Sequence, residues 1–353
     1  MVLIVALSSI TLAFVEQFDS QANCYDVRID QSDGPFSKIP VYNQALGVKS
    51  DPNICYAVAA SELIDAYRIR HGIQAELLTS PLSLALKTRL IDSYAPDSMR
   101  AITYDDSDPL IYLVGGGSIF QALNLAQNAN VCDQKWLEQF VKLFDESSSA
   151  KPFDSFLMSI APQPISLPLK SEFIQKTLKA FDQFCATHQF SLTIPKIENL
   201  NAPGGDYLVE LAQLTAQLQN PKLSPDEQKA LVLAFQEKFD PNRKIEIFGK
   251  AINKLLNDPL SAGVGIGYLY QAIRSTEHLN SISGHASIIV GRRFNKDTKS
   301  CEFLIRDSYG PSCIVKDGSS RYELPCENGS VWIEARSLLK NTMQLSWITV
   351  TGN

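Results

Sequence analysis

Residues 53–72 constrain this chain more than any other stretch. Asn53-Ile54-Cys55-Tyr56-Ala57-Val58-Ala59-Ala60 opens an apolar, alanine-rich run, and Ala57, Ala60, Leu63, Ile64 and Tyr67 follow helical spacing. This is the pattern of an amphipathic helix with a buried start, and a cysteine stands in its first turn. A thiol there meets amide dipoles that favour its thiolate. Gln44 lies a short loop earlier. Far downstream come His285, in Gly284-His285-Ala286-Ser287-Ile288-Ile289-Val290-Gly291, and Asp307, in Arg306-Asp307-Ser308-Tyr309-Gly310. A histidine can hold the thiol's proton, and a carboxylate can orient that histidine. Singly, each has a structural reading: a buried helix cysteine, a satisfied core histidine, a turn-capping aspartate. Together, with a glutamine placed to help an oxyanion, they have the order of a cysteine hydrolase.

Other chemistries have less behind them. His71, His188 and His278 lack matching neighbours, and four histidines with no paired spacing speak against zinc. Gly263-x-Gly265-x-Gly267 has no following helix or acidic partner, so it is not a nucleotide loop. Glycines there line the approach to a cleft or relieve crowding in a strand. With 32 Lys and Arg against 38 Asp and Glu, net charge −6, and no basic stripe, nucleic acid is not an expected partner.

Helical patterns dominate the chain up to residue 258. Ser118 is placed to cap a helix from Ile119 to Asn128. Further helical patterns cover Lys135–Glu146, Ser171–His188, Asp206–Gln219 and Pro225–Phe239, the last with Ser224 as cap and Pro225 at the first helical position. From Gly263 onward short β-rich runs take over: Ala286–Arg292, Glu302–Asp307, Val331–Ala335 and Leu345–Val350. They read as a twisted antiparallel sheet, which makes the expected class α+β.

The order and the local words resemble the papain-like cysteine peptidases. In that family a Gln precedes a Cys-(Trp/Tyr)-Ala segment, as Gln44 precedes Cys55-Tyr56-Ala57. Leu78-Thr79-Ser80-Pro81-Leu82-Ser83 is similar to the stretch that follows the family's helix. Gly115-Gly116-Gly117-Ser118-Ile119 through Asn130-Val131-Cys132 is similar to its Gly-Gly pair, helix and Gly-Val-Cys turn. Asp258-Pro259-Leu260-Ser261-Ala262-Gly263-Val264 is similar to the strand before the histidine, and Asp307-Ser308-Tyr309-Gly310 stands in the place of Asn-Ser-Trp-Gly. The similarity spans roughly residues 38–133 and 258–350. Departures are the position of Gln44 eleven residues before Cys55, Pro52 in place of a disulfide cysteine, Asp307 for asparagine and Tyr309 for tryptophan.

The resemblance implies a two-lobe fold, a helical lobe beside a twisted β lobe, interrupted by a largely helical insertion at 134–258. That insertion would account for the 230 residues between Cys55 and His285, either as a peripheral scaffold or as a lid over the cleft. It also implies catalytic roles for Cys55, His285 and Asp307, with Gln44 at the oxyanion. Gly115, Gly116 and Gly117 would flank a substrate in extended form, with Gly284 and Tyr309 beside it and Tyr309 packed over the His–Asp pair. Such chemistry needs a peptide or protein substrate and no cofactor. Two other classes remain open: a cysteine acyl hydrolase or transferase of another kind (a cell-wall peptide amidase or a transglutaminase-like enzyme), and a catalytically silent relative that binds.

Export is the expected route. Val2 to Val15 is apolar and followed by Glu16, too short to span a bilayer and suited to a signal-peptide core, or else to a buried strand. Ser20-Gln21-Ala22 is a small-x-small cleavage site, which leaves residues 23–353 as the mature domain. No other segment is apolar and long enough to cross a membrane. Seven cysteines fit one reactive thiol and six that pair in an oxidising compartment. Cys313 and Cys326 flank a polar stretch that suits a hairpin. Cys132 with Cys185 and Cys24 with Cys301 complete one of fifteen possible pairings, and the alternative is that several are buried thiols. The expected address is secreted or periplasmic.

Overall fold

A computed structural model describes residues 23–31, 33–42, 54–73, 76–92, 117–127, 129–135, 183, 185–187, 189–202, 217, 223–238, 240–269, 284–311, 314–317, 320–323 and 326–349. Residues 1–22, Gln44, Gly115, Gly116 and Cys313 therefore lie outside the described residues. So do nearly all of the helices expected over 135–146, 171–188 and 206–219. The described helices are α1 (Cys55–Arg70), α2 (Pro81–Asp92), α3 (Ile119–Ala126), α4 (Pro225–Lys238), α5 (Pro241–Asn257) and α6 (Ala335–Asn341). The strands are β1 (Val27–Arg28), β2 (Asn130–Cys132), β3 (Gln189–Ser191), β4 (Lys196–Asn201), β5 (Val264–Leu269), β6 (Gly284–Asn295), β7 (Ser300–Arg306), β8 (Ile314–Asp317), β9 (Ser320–Glu323), β10 (Cys326–Glu327), β11 (Ser330–Glu334) and β12 (Thr342–Thr349).

The β-rich runs of the C-terminal half form an antiparallel sheet in the order β10-β11-β7-β6-β5-β12-β4, with β1 also pairing to β6. Period-two alternation divides its side chains between two layers. Ala286, Ile288, Val290 and Leu304 join α1, α2 and α3 in one core. Val264, Ile266, Ile289, Phe303 and Ile305 join α5 and α6 in the other. The fold is α+β, a helical lobe built on α1–α3 and a sheet lobe backed by α5 and α6. Gly265 marks where the lobes meet most closely, because a Cβ there would come within 2.9 Å of Leu63 and 3.0 Å of Ile119.

Helix α1 departs from the amphipathic expectation. It is buried on every side from Tyr56 to Arg68, including Glu62, Asp65 and Arg68. Buried polar groups persist where they find partners, and these do. Asp65 accepts from the Thr79 N–H and hydroxyl and from Arg68, Arg68 also donates to the Leu77 carbonyl, and Glu62 accepts from Arg306.

The 134–258 stretch contributes more than helices. α4 starts at the expected Pro225, and α5 follows with Asp240 capping through the Asn242 N–H. Ile245, Phe248, Ile252 and Leu256 of α5, at i, i+3, i+7 and i+11, enter the core beneath the sheet. β3 pairs with β2, and β4 pairs with β12 from Lys196↔Thr349 to Asn201↔Gln344. Part of this stretch is thus an edge of the main sheet. Its mixed polarity, half-buried along β4, hides the strand from a periodicity reading.

Cys24–Cys301 and Cys132–Cys185 are disulfides, with Cα separations of 5.8 and 5.6 Å. Cys326 is disulfide-bonded as well, while Cys313, its expected partner, lies outside the described residues. Cys55 is the free cysteine among those described.

Candidate active site

Cys55 is the first residue of α1. The Ala57 and Val58 N–H groups both turn back to the Ile54 carbonyl, at 2.9 and 3.0 Å, so the helix starts abruptly. No side chain caps this end. The first amides of a helix have no intrahelical acceptor and carry the positive end of its dipole, and the thiol stands among them. Cys55 is partly exposed, whereas Tyr56 and the residues that follow are buried. The nucleophile candidate is therefore at a surface on a helix that is itself anchored in the core.

His285 is the second residue of β6, opposite Tyr268 of β5. β6 and β7 pair with Ile288 opposite Arg306. Carried past the end of β7, that register sets Tyr309 opposite His285 and Asp307 one diagonal step away, a distance that long side chains bridge. His285 Nε2 lies 3.0 Å from Asp307 Oδ1. The carboxylate is acceptor-only when ionised, so Nε2 carries the proton in that bond and Nδ1 is left for the thiol. The His285 side chain is also hydrogen-bonded to Cys55. Asp307 is fixed in turn: its Oδ1 accepts from the Ser308 N–H at 2.6 Å, and its own N–H donates to Gly329 O at 2.9 Å. A turn-capping role and a histidine-orienting position thus coincide in one carboxylate.

Two tyrosines enclose the imidazole. Tyr309 stacks on it, centroids 5.3 Å apart and planes 13° apart, and Tyr268 meets it edge-on at 5.6 Å and 87°. The Tyr268 hydroxyl is bonded to Ser287 at 3.1 Å. Burial alone would lower the His285 pKa, but the Asp307 charge and Cys55, through charge and hydrogen bonds, outweigh it and raise the imidazole to about 10. At neutral pH the ring is therefore an imidazolium facing the Cys55 sulfur.

Gly117 is exposed and packs over Tyr56, the neighbour of Cys55; a Cβ at this position would come within 2.7 Å of the ring. Gly284 is exposed beside His285, with Met343 as the nearest side chain. The structure therefore brings together Cys55, His285, Asp307 and Tyr309, with Gly117 against Tyr56 and Gly284 next to His285 in the chain. Sequence reading missed Tyr268, which alternates with apolar residues and looks like ordinary strand filling. It also missed the Glu62–Arg306 pair, whose members are 244 residues apart. Among the described residues no group of three or more His, Cys, Asp or Glu side chains is gathered as metal ligands.

No family model matches the chain, and no curated protein matches it. Among solved structures it is similar to the crystal structure of xylellain, a cysteine protease from Xylella fastidiosa. The TM-score is 0.42 and the identity 14%, over 93% of this chain and 86% of that one. It is also similar to the proform of the Amb a 11 cysteine protease, a major ragweed pollen allergen. There the TM-score is 0.41 and the identity 13%, over 92% of this chain and 65% of that chain.

Proposed function

We propose that this chain is an exported papain-like cysteine peptidase that cleaves peptide bonds with Cys55, His285 and Asp307. The observation that carries the proposal is the doubly bonded imidazole: His285 holds Asp307 at 3.0 Å on one side and the Cys55 side chain on the other. The thiol stands at a helix start, a position that favours nucleophile activation. The family resemblance of the surrounding words, Gln44 before Cys55-Tyr56-Ala57 and Asp307-Ser308-Tyr309-Gly310, points the same way.

In acylation the Cys55 sulfur attacks the scissile carbonyl carbon, and the carbonyl π electrons move to oxygen. The Cys55 backbone N–H and the Gln44 side-chain amide are the proposed oxyanion donors, each contributing about 3 kcal/mol. Collapse breaks the C–N bond while the imidazolium of His285 passes its proton to the leaving nitrogen. A thioester remains. Neutral His285 then takes a proton from water, whose oxygen attacks the thioester carbon, and the C–S bond breaks. This releases the acid and restores the thiolate–imidazolium pair. Asp307 holds the imidazole orientation throughout. The backbone around Gly115, Gly116 and Gly117 is the proposed flank for an extended substrate, with Gly284 and Tyr309 beside the reacting atoms. Two disulfides among the described residues fit a secreted or periplasmic address.

One observation favours a second reading. Asp307 in place of asparagine is the acid partner of other Cys-His-Asp acyl-transfer enzymes, such as amidases of cell-wall peptides. The experiment that separates the readings is intact mass after treatment with an epoxysuccinyl peptide, run beside Cys55→Ala, followed by cleavage profiling on peptide and isopeptide libraries. One adduct, absent from Cys55→Ala, with cleavage of ordinary peptide bonds supports the peptidase. One adduct with turnover confined to isopeptide or cell-wall substrates supports the second reading. No adduct on folded protein with a free Cys55 removes both.

A further inference from the structure

We infer that the buried Arg306–Glu62 pair is a positioning node that holds three separately built parts of the proposed site in register. These are the nucleophile helix, the loop bearing Asp307, and the segment leading to Gln44. The inference rests on the peptidase reading above and concerns residues that touch no substrate.

Glu62 lies seven residues after Cys55 on α1, two turns along the same helical face. Arg306 ends β7 and is covalently joined to Asp307. Its Nε donates to Glu62 Oε2 at 3.1 Å, and its Nη2 donates to the carbonyls of Ile39 and Pro40 at 2.8 and 2.9 Å. Both side chains are almost fully buried, at 3% and 2% exposure. The segment that Arg306 grips is held again three residues on, where Gly310, past Asp307, donates its N–H to the Tyr42 carbonyl at 2.9 Å. Tyr42 also supplies a backbone hydrogen bond to Glu62. Gln44 is two residues further along. One guanidinium thus fixes the approach to the proposed oxyanion donor, the nucleophile helix and the residue before the proposed acid partner. Arg306 also lies near the Phe36 ring, 5.6 Å from its centre.

Stability is a weak reason for such a pair, because well-packed apolar residues replace buried ion pairs at little or no loss. A rigid planar fork is a strong reason where several acceptors on different segments must be held at fixed angles. Lysine carries the charge without the fork.

The test compares full-length wild type with Arg306→Lys, Glu62→Gln, and the apolar double variant Glu62→Leu with Arg306→Met. Three quantities are read: thermal midpoint, kcat and KM on a cleaved peptide, and the pH profile of Cys55 alkylation by iodoacetamide. The expectation for the double variant is a midpoint within a few degrees of wild type and KM within about threefold. Its kcat should fall about 10²-fold, the scale of an ångström-sized misplacement. The alkylation profile should change with it, since the imidazolium no longer meets the sulfur squarely. Arg306→Lys should restore less than a tenth of the lost kcat. A folded double variant with wild-type kcat and an unchanged alkylation profile would overturn the inference. Should the double variant fail to fold, Arg306→Lys, which keeps the charge and loses the fork, carries the same expectation and the same refutation. If wild type is alkylated at Cys55 but cleaves no peptide, the peptidase reading fails alone. The node is then judged on the alkylation profile.

Discussion

Asp307 and asparagine have nearly the same shape, so the difference between them at this site is one charge. Burial pulls the His285 pKa down, and the Asp307 charge is the first of the effects that carry it up to about 10. Asp307→Asn keeps an acceptor beside Nε2 and removes the charge. The alkaline limb of kcat/KM, set by loss of the imidazolium proton, should then move to lower pH by about one unit or more, with the acid limb little changed. A pH–rate profile of both proteins checks this. The residues of the site were unequally legible. Cys55, His285 and Asp307 each sit in a short word whose neighbours restrict its meaning, so sequence alone assembled them. Glu62, Asp65 and Arg68 gave no such hint. On a helix of known period they look like a solvated face, and it takes partners beyond the helix, Arg306, Thr79 and the Leu77 carbonyl, to account for their burial.

At the scale of elements, helix α1 is the piece around which the others are fitted. Its first turn presents Cys55, Tyr56 supports the Gly117 backbone, and Leu63 lies against the bare Cα of Gly265. Gly117→Ala should be felt on both sides of this contact. The new methyl would meet a buried aromatic ring at 2.7 Å, and the overpacking should cost about 1–3 kcal/mol. Because Tyr56 is bonded to the backbone of the proposed nucleophile, kcat should fall as well. Urea unfolding and peptide kinetics on the same preparation read the two effects. Strand legibility followed burial. β6, β7, β11 and β12 are apolar enough to show as β-rich runs, and their boundaries fall within about three residues of those expected. β4 is an edge strand with half-buried, mixed side chains, and what makes it a strand is β12 beside it.

For the molecule as described, the buried groups Glu62, Asp65 and His285 bind protons more tightly folded than unfolded. Burial raises Glu62 and Asp65 to about 7, from 4.5 and 3.8, and Asp307 and Cys55 raise His285 to about 10, from 6.5. A group whose pKa is raised on folding stabilises the fold below its unfolded pKa, and that contribution fades as pH climbs through the folded value. The two carboxyls act between about 4 and 7, the imidazole between about 6.5 and 10, and all three act in one direction. The thermal midpoint should fall steadily from mildly acidic to alkaline buffer, and His285→Gln should flatten the alkaline half of that slope; calorimetry across pH measures both. The Cys24–Cys301 bridge, spanning 277 positions, has a topological result. It closes most of the backbone into a ring that contains both Cys55 and His285. A single backbone cut anywhere on that ring, self-inflicted or not, opens a circle and severs nothing. A nicked sample should run as one band on a non-reducing gel and as two once reduced. The reductant that would keep the Cys55 sulfur a thiol is the same reagent that turns a harmless nick into two chains.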